Sequence, residues 1–498
     1  MTPMLNKHWK TLLMAMAFFF YCLGLFVNIV ADYDFWGAMA FGRLFMEKGL
    51  FPYQDVFSYV PTKDPFVYHE WLTGVIFFLI HKHFGDMGIQ LLRYTLIYAT
   101  ITLIIATAFK RLANPCSIFI VLFLTCNALT HGYAPVRAQV FTYLLFALSI
   151  YILESYKKDR GIFLLCWLIP IQILWCNLHG GFVAGLGLIA LYAVGEGIVN
   201  RRVIPHVSIL ILASMATLIN PYGFDYWTYI VQAIMLPRSD ITEWMSIPAA
   251  VRRGMFTHVS SLFIGLAFVS LFLTVKSPKR DLTDILVLTV TAYLSINSIR
   301  HTLLFFVAFG SYTPILLSRQ MNSLECYLKP RTIMRRVTKS TMTLMGLLFV
   351  VLAFFSFQHF LHSPSLDIRT PANYYPTKAL QWIAEHQWGG NVLPHFDWGE
   401  FIIWRCYPAC RVSMDGRFET AYPQDLQKEY SDFLHGRDGW QNFLSKYSHN
   451  MVLIKARTKT DALMRNHPDW RLEHEDDLSV LFLRNQKGPV SPPGMKSS

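Results

Sequence analysis

Two aspartates separated by one residue, Asp32 and Asp34, stand where the first long apolar stretch of this chain ends. At that depth an ionised carboxylate is expensive unless a cation or a reacting group uses it. Other ionisable groups recur at the ends of later apolar stretches: His69 with Glu70, Arg137, His179 in WCNLHGGF, Asn220 in NPYG, Glu243 before Trp244, and Arg300 with His301 in SIRH. Collected on one membrane face, carboxylates opposite several cations suit displacement of a phosphate leaving group by a hydroxyl. One Asp accepts the nucleophile's proton as general base, while Arg and His hydrogen-bond the departing phosphate. The reactants must be polar and lipid at once, and a sugar carried on polyprenyl phosphate is both. Glycoside hydrolysis instead needs two carboxylates roughly 5 to 9.5 Å apart across the bond, and Asp32 and Asp34 are too close in sequence to be assigned that way. An Asp-x-Asp unit with Glu70, His69 or Glu243 offers ligands for Mg²⁺ or Mn²⁺. Cations from Arg and His could do the same work, so the metal stays open.

Taken singly, each residue also has a structural use. Asp32 and Asp34 can cap a following helix, His179 can hold a turn, Arg137 and Arg300 can snorkel from span ends, and Glu243 can be a solvated loop charge. Only their joint recurrence argues for a site.

The elements that must position these groups are membrane helices. Hydrophobic residues make up 53% and aromatic residues 15% of 498 residues, too little polar surface for a soluble chain of this length. About eleven apolar stretches are legible by length and composition: residues 12–30, 89–109, 117–130, 141–153, 162–176, 182–199, 203–219, 259–275, 282–296, 303–317 and 341–360. A net charge of +12 would suggest nucleic acid in a soluble protein. Here Lys and Arg cluster in loops beside apolar spans, so cytoplasmic retention explains them and no nucleic-acid partner is expected.

A cytoplasmic N-terminus places Lys110/Arg111, Lys157/Lys158/Arg160, Arg201/Arg202, Lys276/Lys279/Arg280 and residues 319–339 on one side. That holds only if Trp71 to His83 is an interfacial or re-entrant helix. An odd number of spans then leaves everything beyond His362 outside. The expected division is a membrane domain over 1–361, an extracytoplasmic domain over 362–487 and a disordered tail over 488–498. Residues 31–71 form the first outer loop, in which Phe35 to Glu47 reads as an interfacial helix. The outer domain reads as α/β: helices at Lys378 to His386 and Trp440 to Tyr447, and strands at Asn391 to Phe396, Arg411 to Met414, Met451 to Lys455 and Ser479 to Leu483. Cys406 and Cys410, in CYPAC, could bridge in an oxidising compartment.

The chain resembles the membrane-embedded glycosyltransferases of the GT-C fold, and more closely a broad set of bacterial membrane proteins of that type. The resemblance rests on DYDFW at Asp32, the stretch from Gly49 to Tyr59, HEWL at His69, WCNLHGGF at Trp175, NPYG at Asn220, ITEW at Ile241, SIRH at Ser298, DWGEFIIW at Asp397 and MDGR at Met414. It implies a multi-pass helical protein of the bacterial inner membrane, with Asp32 or Asp34 as base and Arg137, Arg300 and His301 toward the lipid phosphate. His69, Glu70, His179, Asn220 and Glu243 complete the expected substrate-binding set, and Asp32, Asp34 and Glu70 would hold any metal. Where the resemblance leads to a His shortly after Trp36, this chain has Gly37 and Ala38. In the tail, Asp397, Trp398, Asp415 and Arg417 fall at apparent strand ends, although Asp415 and Arg417 could simply pair around Gly416.

The reading is an inverting glycosyltransferase moving a sugar from a polyprenyl-phosphate donor to an outer-face glycan, lipid or protein. One alternative is an oligosaccharide ligase or polymerase using a lipid-diphosphate glycan. Another is a transporter or flippase of envelope glycolipids, which would place charges near midspan and show paired repeats; the spans here show neither.

Overall fold

The computed structural model describes residues 5–49, 51–133, 136–236, 242–255, 257–328 and 332–485. The expected disordered tail at 488–498 lies outside them. Contacts divide the chain into two compact units. One comprises Met1–Ile29, Ile80–Tyr226 and Met235–Ile368, and the other Val30–Leu79, Trp227–Ile234 and Arg369–Ser498.

The first unit is helical. Among the described residues, seven helices are long and apolar enough to cross a membrane, and four shorter apolar helices accompany them. All the stretches read from sequence lie within these helices or share most of their length with them. Residues 162–176 are split into Ile162–Cys166 and Leu168–Leu178. Residues 89–109 are the later part of a helical run, Trp71–Lys110, that breaks at Gly85 with φ 60° and ψ −155°. Many large apolar side chains on these helices stay exposed, among them Phe163, Ile198, Phe268 and Phe355. Lipid is the solvent that such surface requires, because backbone polar groups are satisfied inside each helix.

Cations beside the spans also do structural work. The Arg111 guanidinium pairs with Glu154 at 2.7 Å and with Asp284. Lys157 Nζ lies 2.9 Å from Glu196 and 2.7 Å from Asp281. Glu154, Glu196 and Asp284 are buried. A buried carboxylate without its cation would cost several kcal/mol, about 3–5, so residues assigned to topology also lock helix ends together.

The second unit contains a five-stranded sheet in the order β2-β1-β3-β5-β4, with β1 Gly390–Pro394, β2 Cys410–Val412, β3 Met451–Lys455, β4 Trp470–Glu475 and β5 Ser479–Arg484. β1 pairs in parallel with β2 and β3, whereas β5 runs antiparallel to β3 and β4. β3 and the inner part of β5 are buried apolar runs, as the sequence reading requires. The sequence did not show β4, whose residues after Trp470 are mostly exposed or half-buried and polar, as suits a sheet edge. The helices at Thr377–Glu385 and Gln441–Lys446 are those expected. Gly399–Cys406 and Gln424–Leu434 add two more.

The core of this unit draws on both ends of its sequence. Phe41, Val60, Phe66 and Tyr68 pack in one cluster with Leu393, Met414, Tyr422, Tyr430, Phe443, Val452 and Phe482. Ser58 bridges to Val412, continuing the sheet beyond β2. Cys406 and Cys410 are both free thiols.

Candidate functional site

In the second unit, Asp32 is the N-cap of the helix Tyr33–Lys48: its side chain accepts from the backbone N–H of Asp34 at 3.2 Å. A short acidic side chain there satisfies a donor the helix leaves orphaned. Asp34 occupies the first turn, half-buried, where the helix dipole favours a negative charge. The aromatic residues around them fix the helix start. Trp36 Nε1 donates to the Tyr375 hydroxyl at 3.1 Å, and that hydroxyl donates to the Ala31 carbonyl at 2.8 Å.

The sequence reading missed a third acid, which borders the same glycine as Asp34. Glu400, in the helix Gly399–Cys406, is 4% exposed, and its Oε2 has no hydrogen-bond partner among the described residues. Its carboxyl lies against Gly37, where an added Cβ would come 2.3 Å from Oε2. Around Gly416 a Cβ would meet Asp34 Oδ1 at 3.0 Å and Glu400 Oε1 at 3.1 Å, so both carboxyls border that glycine. Burial pushes the Glu400 carboxyl well above the ordinary carboxylate range, and the negative charges of Asp34 and Asp415 push it further against the opposing pull of Arg417. Burial and the neighbouring charges therefore favour the protonated form of Glu400 beside Asp34. Gly37 replaces the expected His, and its missing side chain makes room for this acid. The available signal was a Glu followed by Phe401, Ile402 and Ile403, an acid opening an apolar helix.

Asp415 and Arg417 pair with each other. Arg417 grips Asp415 through Nε at 2.9 Å and Nη2 at 2.7 Å, and also bonds Asp55. The Tyr422 hydroxyl donates to Asp415 at 2.7 Å. Burial disfavours the Arg417 charge, but Asp415 and Asp55 outweigh it and hold the guanidinium protonated. This buried network holds the turn after β2 that carries Gly416. Asp397 pairs with Lys455 at 2.8 Å. His69 lies 3.1 Å from the Tyr229 hydroxyl through Nδ1 and 3.3 Å from Glu70 through Nε2.

In the first unit, a second group forms around Glu243. Its two oxygens accept from Arg137 Nη1 and Arg300 Nη1, each at 2.9 Å. Burial would raise the Glu243 carboxyl, but Arg300 and Arg137 outweigh it and hold it below its ordinary value. Arg300 also lies 4.9 Å from the Trp244 ring centroid, and that ring meets His301 edge-on. Two guanidiniums against one carboxylate leave net positive charge. His179 Nδ1 accepts from Gly181 N at 2.9 Å and lies 2.8 Å from Thr142 Oγ1, which accepts from Trp175 Nε1. A neutral His179 therefore carries its proton on Nε2. Asn220 uses its amide locally, donating to the Thr217 carbonyl at 2.7 Å and accepting from Tyr222 N at 2.8 Å.

The expected residues thus fall into two groups. Asp32, Asp34, His69 and Glu70 belong to the second unit, and Arg137, His179, Asn220, Glu243, Arg300 and His301 to the first. Among the described residues no three His, Cys, Asp or Glu side chains are grouped to hold a metal ion, and Asp32, Asp34 and Glu70 form no such set.

No protein-family model and no curated protein matches the chain. Solved structures do. ArnT from Cupriavidus metallidurans bound to undecaprenyl phosphate aligns at a TM-score of 0.57 and 11% identity, over 98% of this chain and 100% of that one. The Archaeoglobus fulgidus oligosaccharyltransferase tethered to an acceptor peptide gives 0.58 at 10%, over 90% and 69%. The arabinofuranosyltransferase AftD from Mycobacteria gives 0.52 at 11%; this chain spans 97% of its own length but only 40% of AftD. At these identities the likeness concerns architecture: the chain is a multi-pass helical membrane protein with the GT-C fold of these glycosyltransferases.

Proposed function

We propose that this protein is an inverting glycosyltransferase that moves a sugar from a polyprenyl-phosphate donor to an acceptor outside the cytoplasm of a bacterial cell. The N-terminus is cytoplasmic, and residues 362–487 lie outside as the domain that recognises the acceptor. The observation that carries the reading is a carboxylate on the first turn of the helix Tyr33–Lys48, just after the first apolar helix, in a chain whose whole length follows the GT-C fold.

In the proposed step, an acceptor hydroxyl attacks the anomeric carbon and the bond from that carbon to the phosphate oxygen breaks. Asp34 takes the hydroxyl proton, and polyprenyl phosphate leaves with the electron pair. Asp32 supports the step by holding the helix start. Arg137 and Arg300 supply charge-assisted hydrogen bonds to a phosphate, as two guanidiniums already gathered around one carboxylate can do. ArnT was solved with undecaprenyl phosphate, which favours a single sugar on a monophosphate carrier. The likeness to an oligosaccharyltransferase supports whole-glycan transfer as the second reading.

The test is mass spectrometry of polyprenyl phosphates after incubating purified protein with a host lipid extract and acceptor fractions. Wild type should consume glycosylated carrier and release bare carrier, and the mass lost identifies a sugar or a glycan. Asp34→Asn should abolish turnover while folded protein persists in the membrane. Chelation with EDTA, followed by Mg²⁺ or Mn²⁺ addition, decides whether a metal takes part. Unchanged carrier pools with wild type would refute the transferase reading in favour of transport.

A further inference from the structure

The sheet of the second unit reverses its winding at β1. The chain leaves β1 to form β2 on one side and later returns to form β3 on the other, both parallel to β1. Strand ends that diverge in this way leave a crevice outside their carboxyl termini, where open α/β sheets receive ligands. A cavity of about 360 Å³ opens there, within the size range of small-ligand sites. His395 follows β1, Ile454 and Lys455 end β3, Thr458 and Lys459 start the next helix, and His435 follows Gln424–Leu434.

The lining is cationic over an apolar floor. Asp397, beside the cavity, pairs with Lys455 at 2.8 Å and lies 3.5 Å from His395. No ion pair engages Lys459 or His435 among the described residues. His395 Nδ1 accepts from Asp397 N at 3.3 Å, and burial lowers the imidazole to about 4, so it is neutral with its proton on Nε2, a donor. His435 Nδ1 donates to the Ser431 carbonyl at 2.8 Å, so a neutral His435 presents Nε2 as an acceptor, for a ligand hydroxyl. The loop between Lys455 and Lys459 is held by Thr458 Oγ1 donating to the Lys455 carbonyl at 3.0 Å and by Arg457 N donating to Asp461 at 2.8 Å. Arg457 sits at φ 61°, a conformation an arginine adopts only when the surroundings impose it. The backbone that carries the two lysines is thereby held, and His395 Nε2 adds a nitrogen donor to the lining.

We propose that this crevice binds the phosphate of a sugar-sized phosphorylated ligand, as a recognition site within the C-terminal α/β fold. It does not depend on the transfer chemistry proposed above. The phosphate could belong to a soluble or glycan-borne sugar phosphate or to a phospholipid head group.

Titration calorimetry on the full-length protein in detergent distinguishes these sources, with pyrophosphate, glucose 1-phosphate and dihexanoyl phosphatidylglycerol as probes. Saturable binding is expected, weakened about tenfold or more by Lys459→Ala and by Lys455→Gln. Lys446→Ala, a surface lysine paired with Glu429, should leave it unchanged. Glucose 1-phosphate binding without lipid binding assigns a sugar phosphate, and the reverse assigns a lipid head group. Absence of saturable binding by all three probes up to about 10 mM, or equal binding in wild type and both crevice variants, would overturn the proposal. Lys459 is exposed, so its removal tests binding without threatening the fold.

Discussion

Replacing Glu400 by Gln preserves shape and removes the titratable proton. The folded chain favours the protonated form of Glu400, because burial and the neighbouring charges of Asp34 and Asp415 raise its folded value well above the ordinary 4.5. The folded state therefore binds one more proton than the unfolded state at any pH between about 4.5 and that raised value. The stabilisation is fully present below 4.5 and is lost as pH rises through the folded value. Across that window wild type should lose about 1.4 kcal/mol of stability per pH unit relative to Glu400→Gln. Thermal unfolding of the purified proteins in detergent from pH 4.5 to pH 9 reads this directly. The two curves should meet near pH 4.5 and separate steadily above it, with the Gln variant the more stable at pH 8. Adding Asp34→Asn removes the second cause of the shift and should narrow the separation. Curves that stay parallel from pH 5 to pH 9 would refute the reasoning, because they would mean that Glu400 ionises as it would in water.

Gly37→Ala should destabilise the protein by roughly 1–3 kcal/mol, because its Cβ would meet the buried Glu400 carboxyl. Glu400→Ala should recover part of that loss in the double variant, and strict additivity in thermal unfolding would count against the contact. Glu243→Gln removes the carboxylate that Arg137 and Arg300 share. Binding of undecaprenyl phosphate, followed by tryptophan fluorescence, should tighten about tenfold, whereas Arg300→Ala should weaken it by a similar factor; weaker binding in Glu243→Gln would show that the carboxylate organises the arginines rather than competes for them. His449 is buried and His395 half-buried, and desolvation lowers both from 6.5 to about 4. Their neutral forms stabilise the fold above pH 6.5, and that stability should fall by about 1.4 kcal/mol per group per pH unit between pH 6.5 and pH 4, a slope that His449→Gln should halve in acid unfolding.

The membrane helices were legible because lipid demands long runs of apolar residues, and such runs survive in any reading of composition. β1, β3 and β5 were legible for a related reason: short apolar runs bounded by turn and polar residues read as buried strands. β4 was not, since an edge strand with polar alternation resembles a loop. The joining of Phe41, Val60 and Phe66 to the core around Tyr422 and Phe443 left no local trace, because contacts between distant segments impose no period on either. The acids divide along the same line. Asp32 and Asp34 are visible from position alone, next to an apolar stretch. Glu400 becomes distinctive only through Gly37, Gly416 and Asp34, which no spacing rule connects to it.

The acidic group around Asp34 and the arginines around Glu243 face one electrostatic problem and solve it differently. Charges kept ready in a poorly solvated setting repel their own kind and cost free energy unless something compensates them. Around Asp34 the compensation is a proton: Glu400 holds one, so a second carboxyl can stand beside Asp34 without a second charge. Around Arg137 and Arg300 it is a carboxylate, since Glu243 bonds both guanidiniums. A proton on the neighbouring acid spares Asp34 a second negative charge beside it, which suits the base that the proposed chemistry needs. A carboxylate shared between two arginines fixes their spacing, yet it is a monoanion, so a phosphate with greater charge and more acceptor oxygens can displace it. Each arrangement preserves the property that the proposed chemistry would use, basicity in one case and exchangeable anion binding in the other. That is why Glu400→Gln is expected to be mild for turnover while Asp34→Asn is not, although both remove one carboxylic proton site from the same acidic group.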